Sequence, residues 1–162
     1  MSATQPVLDQ PRFDPLAFDP SRYQWQRLTD EAESGYKVDY SVALLGYDLS
    51  VGACDFLVKF DNAGGHCPRH RHVGTTTSIV LAGEHRVTDL FPDGTRSERV
   101  KPAGTYALSP GDEHPHLERG GDDGAIVFFG NHSQSGMVYE LVDEDLKVIT
   151  EVSMEMLVEM WA

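Results

Sequence analysis

Three of the chain's seven histidines, His66, His70 and His72, fall within residues 64–72, and that crowding raises the first chemical question. Successive side chains of an extended strand alternate faces, so residues two apart point the same way. His70 and His72 therefore present two imidazoles to one side, close enough to share a cation. A metal centre needs more ligands than that. The third candidate is His114: Ser109, Pro110 and Gly111 make a tight turn, and His114 opens the strand that follows. Two segments far apart in sequence are thereby expected to converge on one ion.

Other polar groups stand near these segments. His116 lies two residues beyond His114 and faces the same cavity if strand alternation survives Pro115, where it would polarise a carbonyl or move a proton near neutral pH. Thr76, Thr77 or Ser78 offers a hydroxyl to a bound ligand, and His116 and Thr76 are the candidate catalytic residues. His66 is expected at the rim, because Pro68 bends the segment between it and His70. His85 is expected on the surface more than in the site, and His132 in solvent. Glu84, Asp89 and Glu113 are expected as solvated carboxylates, Arg69 and Arg71 point away from the histidine pair, and Cys67 fills space. Tyr40, Tyr106 and Phe128 are candidates for an apolar wall.

The elements that must carry these groups read as sheet. Residues 36–47 and 53–60 are rich in β-branched and aromatic residues, with a turn at 48–52, and a shorter strand is expected at 25–28. Further strands are expected at 75–82 and 84–91, broken by Gly83, then at 96–101, 105–108, 114–118, 125–129, 137–142 and 147–150. Residues 120–124, Gly-Gly-Asp-Asp-Gly, read as the turn of a hairpin. Short strands at this spacing predict an antiparallel sandwich or small barrel. Only residues 153–161 look helical, with Ser153 as N-cap and Met154, Leu157, Val158 and Trp161 on one face.

With 162 residues the chain suits one domain, residues 22–162, behind an extended arm at 1–21 that contains Pro6, Pro11, Pro15 and Pro20. A formal net charge of -13 repels phosphate backbones and anionic lipid, so neither nucleic acid nor membrane is an expected partner. No apolar run approaches the roughly 20 residues of a membrane span, the N-terminus lacks a signal-peptide pattern, and two cysteines make no disulfide scaffold. A cytoplasmic protein is expected. An antiparallel barrel has exposed edges, and a homodimer would cover them.

The glycine and histidine spacing resembles that of the cupins. Gly64, His70, His72 and Gly83 fit the first cupin segment in register, and Pro110, Gly111 and His114 fit the end of the second. The resemblance implies an all-β fold, the cupin double-stranded β-helix or jelly-roll barrel, here with a short C-terminal helix. The chain departs from the pattern at four places. Thr76 or Thr77 stands where a ligand glutamate belongs, Ser109 replaces a proline, Gly104 lies one residue close to Gly111, and Glu118 occupies the terminal asparagine position. Loss of that glutamate implies an inner shell of His70, His72 and His114 alone, one negative charge poorer and so suited to an anionic chelating substrate. Three-histidine cupins resemble iron dioxygenases, and residues 128–130 and 136–145 are similar to the tail of the acetylacetone-cleaving and dihydroxyacetophenone dioxygenase-like cupins. The implied cofactor is a divalent ion, Fe(II) before Zn, Ni or Mn. The implied reactants are O2 and a small diketone or hydroxyketone, with a ligand-sensing cupin or a Zn or Ni isomerase or hydrolase as alternatives.

Overall fold

A computed structural model describes residues 18–30, 36–111 and 113–161. Most of the arm expected at 1–21 lies outside these residues. At its end Pro20–Arg22 form one 3-10 turn capped by Asp19, and the Phe18 ring stacks on Tyr23 at 5.5 Å.

Ten strands follow: β1 (Gln26–Asp30), β2 (Val38–Asp48), β3 (Ala53–Phe60), β4 (His70–His72), β5 (Thr75–Leu90), β6 (Arg96–Pro102), β7 (Tyr106–Ser109), β8 (His116–His132), β9 (Met137–Val142) and β10 (Val148–Ser153). One helix, α1 (Met154–Glu159), closes the described chain. All pairings between these strands are antiparallel, and they form a curled sheet in the order β1-β2-β3-β8-β4-β9-β10, with β5 joined to β6, β7 and β8. This is the barrel with a short C-terminal helix that the sequence predicts. Its core, including Val42, Phe56, Val58, Phe60, Val80, Val127 and Phe129, comes from alternate positions of β2, β3, β5 and β8. Ser153 caps α1 by accepting a hydrogen bond from Met156 N, and Met154 and Leu157 are buried.

Two expectations fail in an instructive way. Gly83 does not end a strand: β5 runs through it as one strand of 16 residues. Residues 120–124 do not make a hairpin either, because both flanking segments pair antiparallel with β5 and therefore run in the same direction. His85 pairs with Gly120 while Gly83 pairs with Ala125, so the intervening residues of β8 are extruded as a large bulge. Both strands hold a glycine in the left-handed region there, Gly83 at φ 69 and Gly124 at φ 72. A Cβ on Gly83 would lie 2.1 Å from the Gly124 carbonyl oxygen, so the two backbones approach too closely for any side chain.

Candidate metal centre

β4 is three residues long and sits between β8 and β9, which brings the two histidine segments together: His70 is the cross-strand partner of His116. Parity then does the rest. His70 and His72 share the inner face of β4, while His116 and Glu118, also two apart, share the inner face of β8. All four side chains are buried, and one ligand atom from each lies within 4.8 Å of all the others. The His70 Nε2 is 3.3 Å from His72 Nε2 and 3.4 Å from Glu118 Oε2, and His116 Nε2 is 3.8 Å from Glu118 Oε1. Ligands that share one ion at bond lengths of about 2.0–2.2 Å stand about 3–4 Å from one another, and these three separations fall in that range.

Of the expected set the structure brings His70 and His72 together, with His116 beside them rather than His114. His114 lies before β8 begins, with its ring exposed and 4.9 Å from that of Phe91. Pro115 is the reason. The strand starts after it, and the turn-proximal histidine is left in the lead-in while the next one, His116, takes the inward position. His114 still serves the site through its backbone, because its carbonyl accepts a hydrogen bond from His116 Nδ1 at 3.0 Å. The cluster also contains a carboxylate, Glu118, where three histidines alone were expected. The first segment has no glutamate at that place, and Glu118 of the second stands among the histidines. Sequence reasoning passed over Glu118, although the His-x-Glu spacing of His116 and Glu118 carries the same parity signal as His70 and His72.

Each ring is oriented through Nδ1. His70 Nδ1 donates to the Pro68 carbonyl at 2.7 Å, and His72 Nδ1 lies 3.0 Å from Thr76 Oγ1. That hydroxyl is in turn 3.3 Å from Asn131 Oδ1, and the Asn131 amide donates to the Cys54 carbonyl at 3.1 Å. With the Thr76 proton directed to Asn131, its oxygen accepts from His72. All three Nε2 lone pairs then face the common point, the second sphere that a metal-binding imidazole requires. Thr76, expected to touch a ligand, positions His72 and also borders the cavity beside it.

The electrostatics suit a cation. Burial, then the charges of His70 and His116, pushes His72 well below the ordinary histidine value, and burial with His70 lowers His116 to about 3. Both imidazoles are neutral across the physiological range. Burial also opposes charge on His70, but the Glu118 carboxylate outweighs it and raises His70. Glu118 is fully desolvated, yet the imidazoles of His70 and His85 beside it hold it ionised, well below the usual carboxylate range. His85, expected on the surface, is 1% exposed with its Nε2 3.2 Å from Glu118 Oε1. That approach lacks hydrogen-bond geometry, and its Nδ1 has no partner among the described residues.

Two cavities meet at the centre, with His72, Glu118 and Phe129 bordering both. One, of about 90 Å³, is polar and includes Thr76, Ser78, Lys101 and Glu113. The other, of about 30 Å³, is lined by Tyr40, Val42, Phe56, Val58, Tyr139 and others. Tyr40 is thus part of the apolar wall, whereas Tyr106 is 60% exposed and Phe129 stands in the place expected of Phe128. The remaining groups fall outside. His66 hydrogen-bonds the Gly64 carbonyl, His132 is exposed, and Arg71 pairs with Glu140. Cys67 is buried beside Glu118, which together with desolvation raises its thiol pKa well above the ordinary value.

No protein-family model and no curated protein matches this chain. Solved structures do. An RmlC-like cupin from Ralstonia eutropha is 18% identical, with a TM-score of 0.63 over 90% of this chain and 83% of that one. An acetylacetone dioxygenase from Acinetobacter johnsonii is 14% identical, with a TM-score of 0.57 over 99% and 97%. A cupin 2 conserved barrel domain protein from Rhodopseudomonas palustris is 18% identical, with a TM-score of 0.56 over 80% and 86%. At such identities the likeness establishes the fold: the chain is folded as an RmlC-like cupin. The buried cluster gives that fold a candidate divalent-metal site.

Proposed function

We propose that the protein is a metal-dependent cupin enzyme, an Fe(II) dioxygenase that cleaves a carbon–carbon bond of a small diketone or hydroxyketone. The observation that carries this reading is the buried set of three Nδ1-anchored imidazoles and one carboxylate, bordered by two cavities. An Fe(II) ion held by His70, His72, His116 and Glu118 would supply Lewis-acid activation of an enolisable ketone and redox access to O2. The chain's own contribution is arrangement. The Pro68, His114 and Thr76 oxygens fix the rings in one tautomer, and the ionised Glu118 offsets one charge of the cation. Phe56, Phe129 and Tyr139 exclude water from one side, while Thr76, Ser78 and Ser109 offer hydroxyls on the other.

Among the described residues no helix is long and apolar enough to cross a membrane. Cys54 and Cys67 are free and buried, which suits a reducing compartment, taken here as the cytoplasm. The exposed side chains of Val100, Tyr106 and Leu108 on β6 and β7 support a homodimer.

Oxygen uptake after anaerobic Fe(II) loading tests the activity. Uptake that depends on 2,4-pentanedione or a hydroxyketone, and is lost in His72→Ala, is the expected result. Tight metal binding without uptake on any such ketone overturns the dioxygenase reading in favour of a redox-neutral or ligand-sensing cupin.

A further inference from the structure

The polar cavity contains a charge that the metal centre does not explain. On the β5–β6 ladder Lys101 is the partner of His85 and Arg99 the partner of Val87, and residues paired across antiparallel strands share a face. His85 and Val87 are buried, so both cations stand on the cavity face, Lys101 half-buried and Arg99 exposed, and both border the cavity beside His72, His116 and Glu118. Their situations differ. Arg99 grips Asp89 with two hydrogen bonds, Nε to Oδ2 at 2.8 Å and Nη2 to Oδ1 at 2.7 Å. The Lys101 ammonium has no hydrogen bond or ion pair among the described residues. The acidic groups that act on it are Glu118, Glu113 and Asp89: Glu118 belongs to the cluster, Asp89 is held by Arg99, and Glu113 borders the same cavity without an ion pair to the ammonium. Burial, then Arg99, lowers the Lys101 pKa, the behaviour of an ammonium short of compensation.

A partly desolvated cation that faces the reaction cavity without a partner is a recognition element for an anion. We propose that the substrate is a small diketone or oxo acid that carries a carboxylate, and that Lys101 receives this carboxylate in the polar cavity. The inference rests on the metal-dependent reading above and narrows its substrate class, because a purely alkyl diketone offers the ammonium nothing. The neutral donors Thr76, Ser78 and Ser109 border the same cavity and suit the remaining oxygens of such a molecule.

A matched pair of ligands tests it: 2,4-pentanedione and 2,4-dioxopentanoate share one chelating diketone and differ by a methyl group against a carboxylate. Each is titrated into Zn(II)-loaded protein, which cannot turn over, and binding is followed by the near-ultraviolet absorbance of the enolate. Zinc content is measured in every sample. The wild type is expected to bind the acid at least about tenfold more tightly. Lys101→Met should bring the ratio close to one, and Lys101→Arg should restore most of it. The restoration separates a charge at this position from chelation by the carboxylate itself. Lys101→Gln replaces the Met variant if that one fails to hold zinc. Equal affinities in the wild type, or a preference that survives loss of the lysine charge in zinc-replete protein, overturn the lysine assignment alone. A wild type that takes up no zinc overturns the metal centre and this inference with it.

Discussion

Each imidazole of the cluster is held at Nδ1 by an oxygen, and the one hold made by a side chain is the most informative. His70 and His116 lean on backbone carbonyls that no substitution removes, whereas His72 depends on the Thr76 hydroxyl at 3.0 Å. Thr76→Val keeps the shape and deletes the acceptor, so metal affinity should fall about 10–100-fold while Thr76→Ser stays near the wild type. Competition titration with a chromophoric chelator measures both. Metal affinity should also depend on pH with a definite sign. The pKa of His70 is raised by Glu118, so below that value a proton must leave before the ring can bind. Affinity should rise with pH, by up to about tenfold per unit, and level off above the His70 pKa. The His70–His72 pair was legible from spacing alone, since two residues on one strand must share a face. His116 was legible as a candidate for the cavity but not as a member of the cluster, because Pro115 moves the start of the strand by a step that turn chemistry does not encode. Glu118 was hidden by the expectation that the carboxylate belongs to the first segment.

At the scale of elements, the site depends on β5 and β8 staying paired across a bulge. β8 carries His116 and Glu118 at one end and the core residues Val127 and Phe129 at the other, and the extruded residues sit between them. Gly83 and Gly124 meet at that point. Gly83→Ala forces a Cβ to within 2.1 Å of a carbonyl oxygen at positive φ, and it should cost well over about 1 kcal/mol in urea denaturation. Ser153→Ala removes only the cap of α1 and should cost about 1 kcal/mol, with metal affinity untouched. The contrast separates damage to the frame of the site from damage to a peripheral element. Most strands were legible because their composition and turn residues are local signals. The continuity of β5 and β8 was not. A Gly-Gly-Asp-Asp-Gly run has the same local chemistry in a hairpin as in a bulge, and only long-range pairing with β5 distinguishes the two.

For the whole molecule, acid is the natural stress on a chain with a formal net charge of -13. Asp39 is 3% exposed, and hydrogen bonds from Arg27 and then Lys37 hold its carboxyl well below the ordinary value. A depressed carboxylate contributes stability above its unfolded pKa, near 3.9, and loses it as pH falls through the lower folded value. Denaturation followed from pH 6 to pH 3 should therefore show a stability loss below about pH 4 that Asp39→Asn reduces.

The centre itself is tested most directly by the metal stoichiometry of freshly purified protein, compared among the wild type, His116→Ala and His114→Ala. These two histidines are two residues apart, yet only His116 belongs to the cluster. The account predicts about one divalent ion per chain in the wild type and in His114→Ala, and loss of the ion in His116→Ala. Metal retained by His116→Ala and lost from His114→Ala would contradict it.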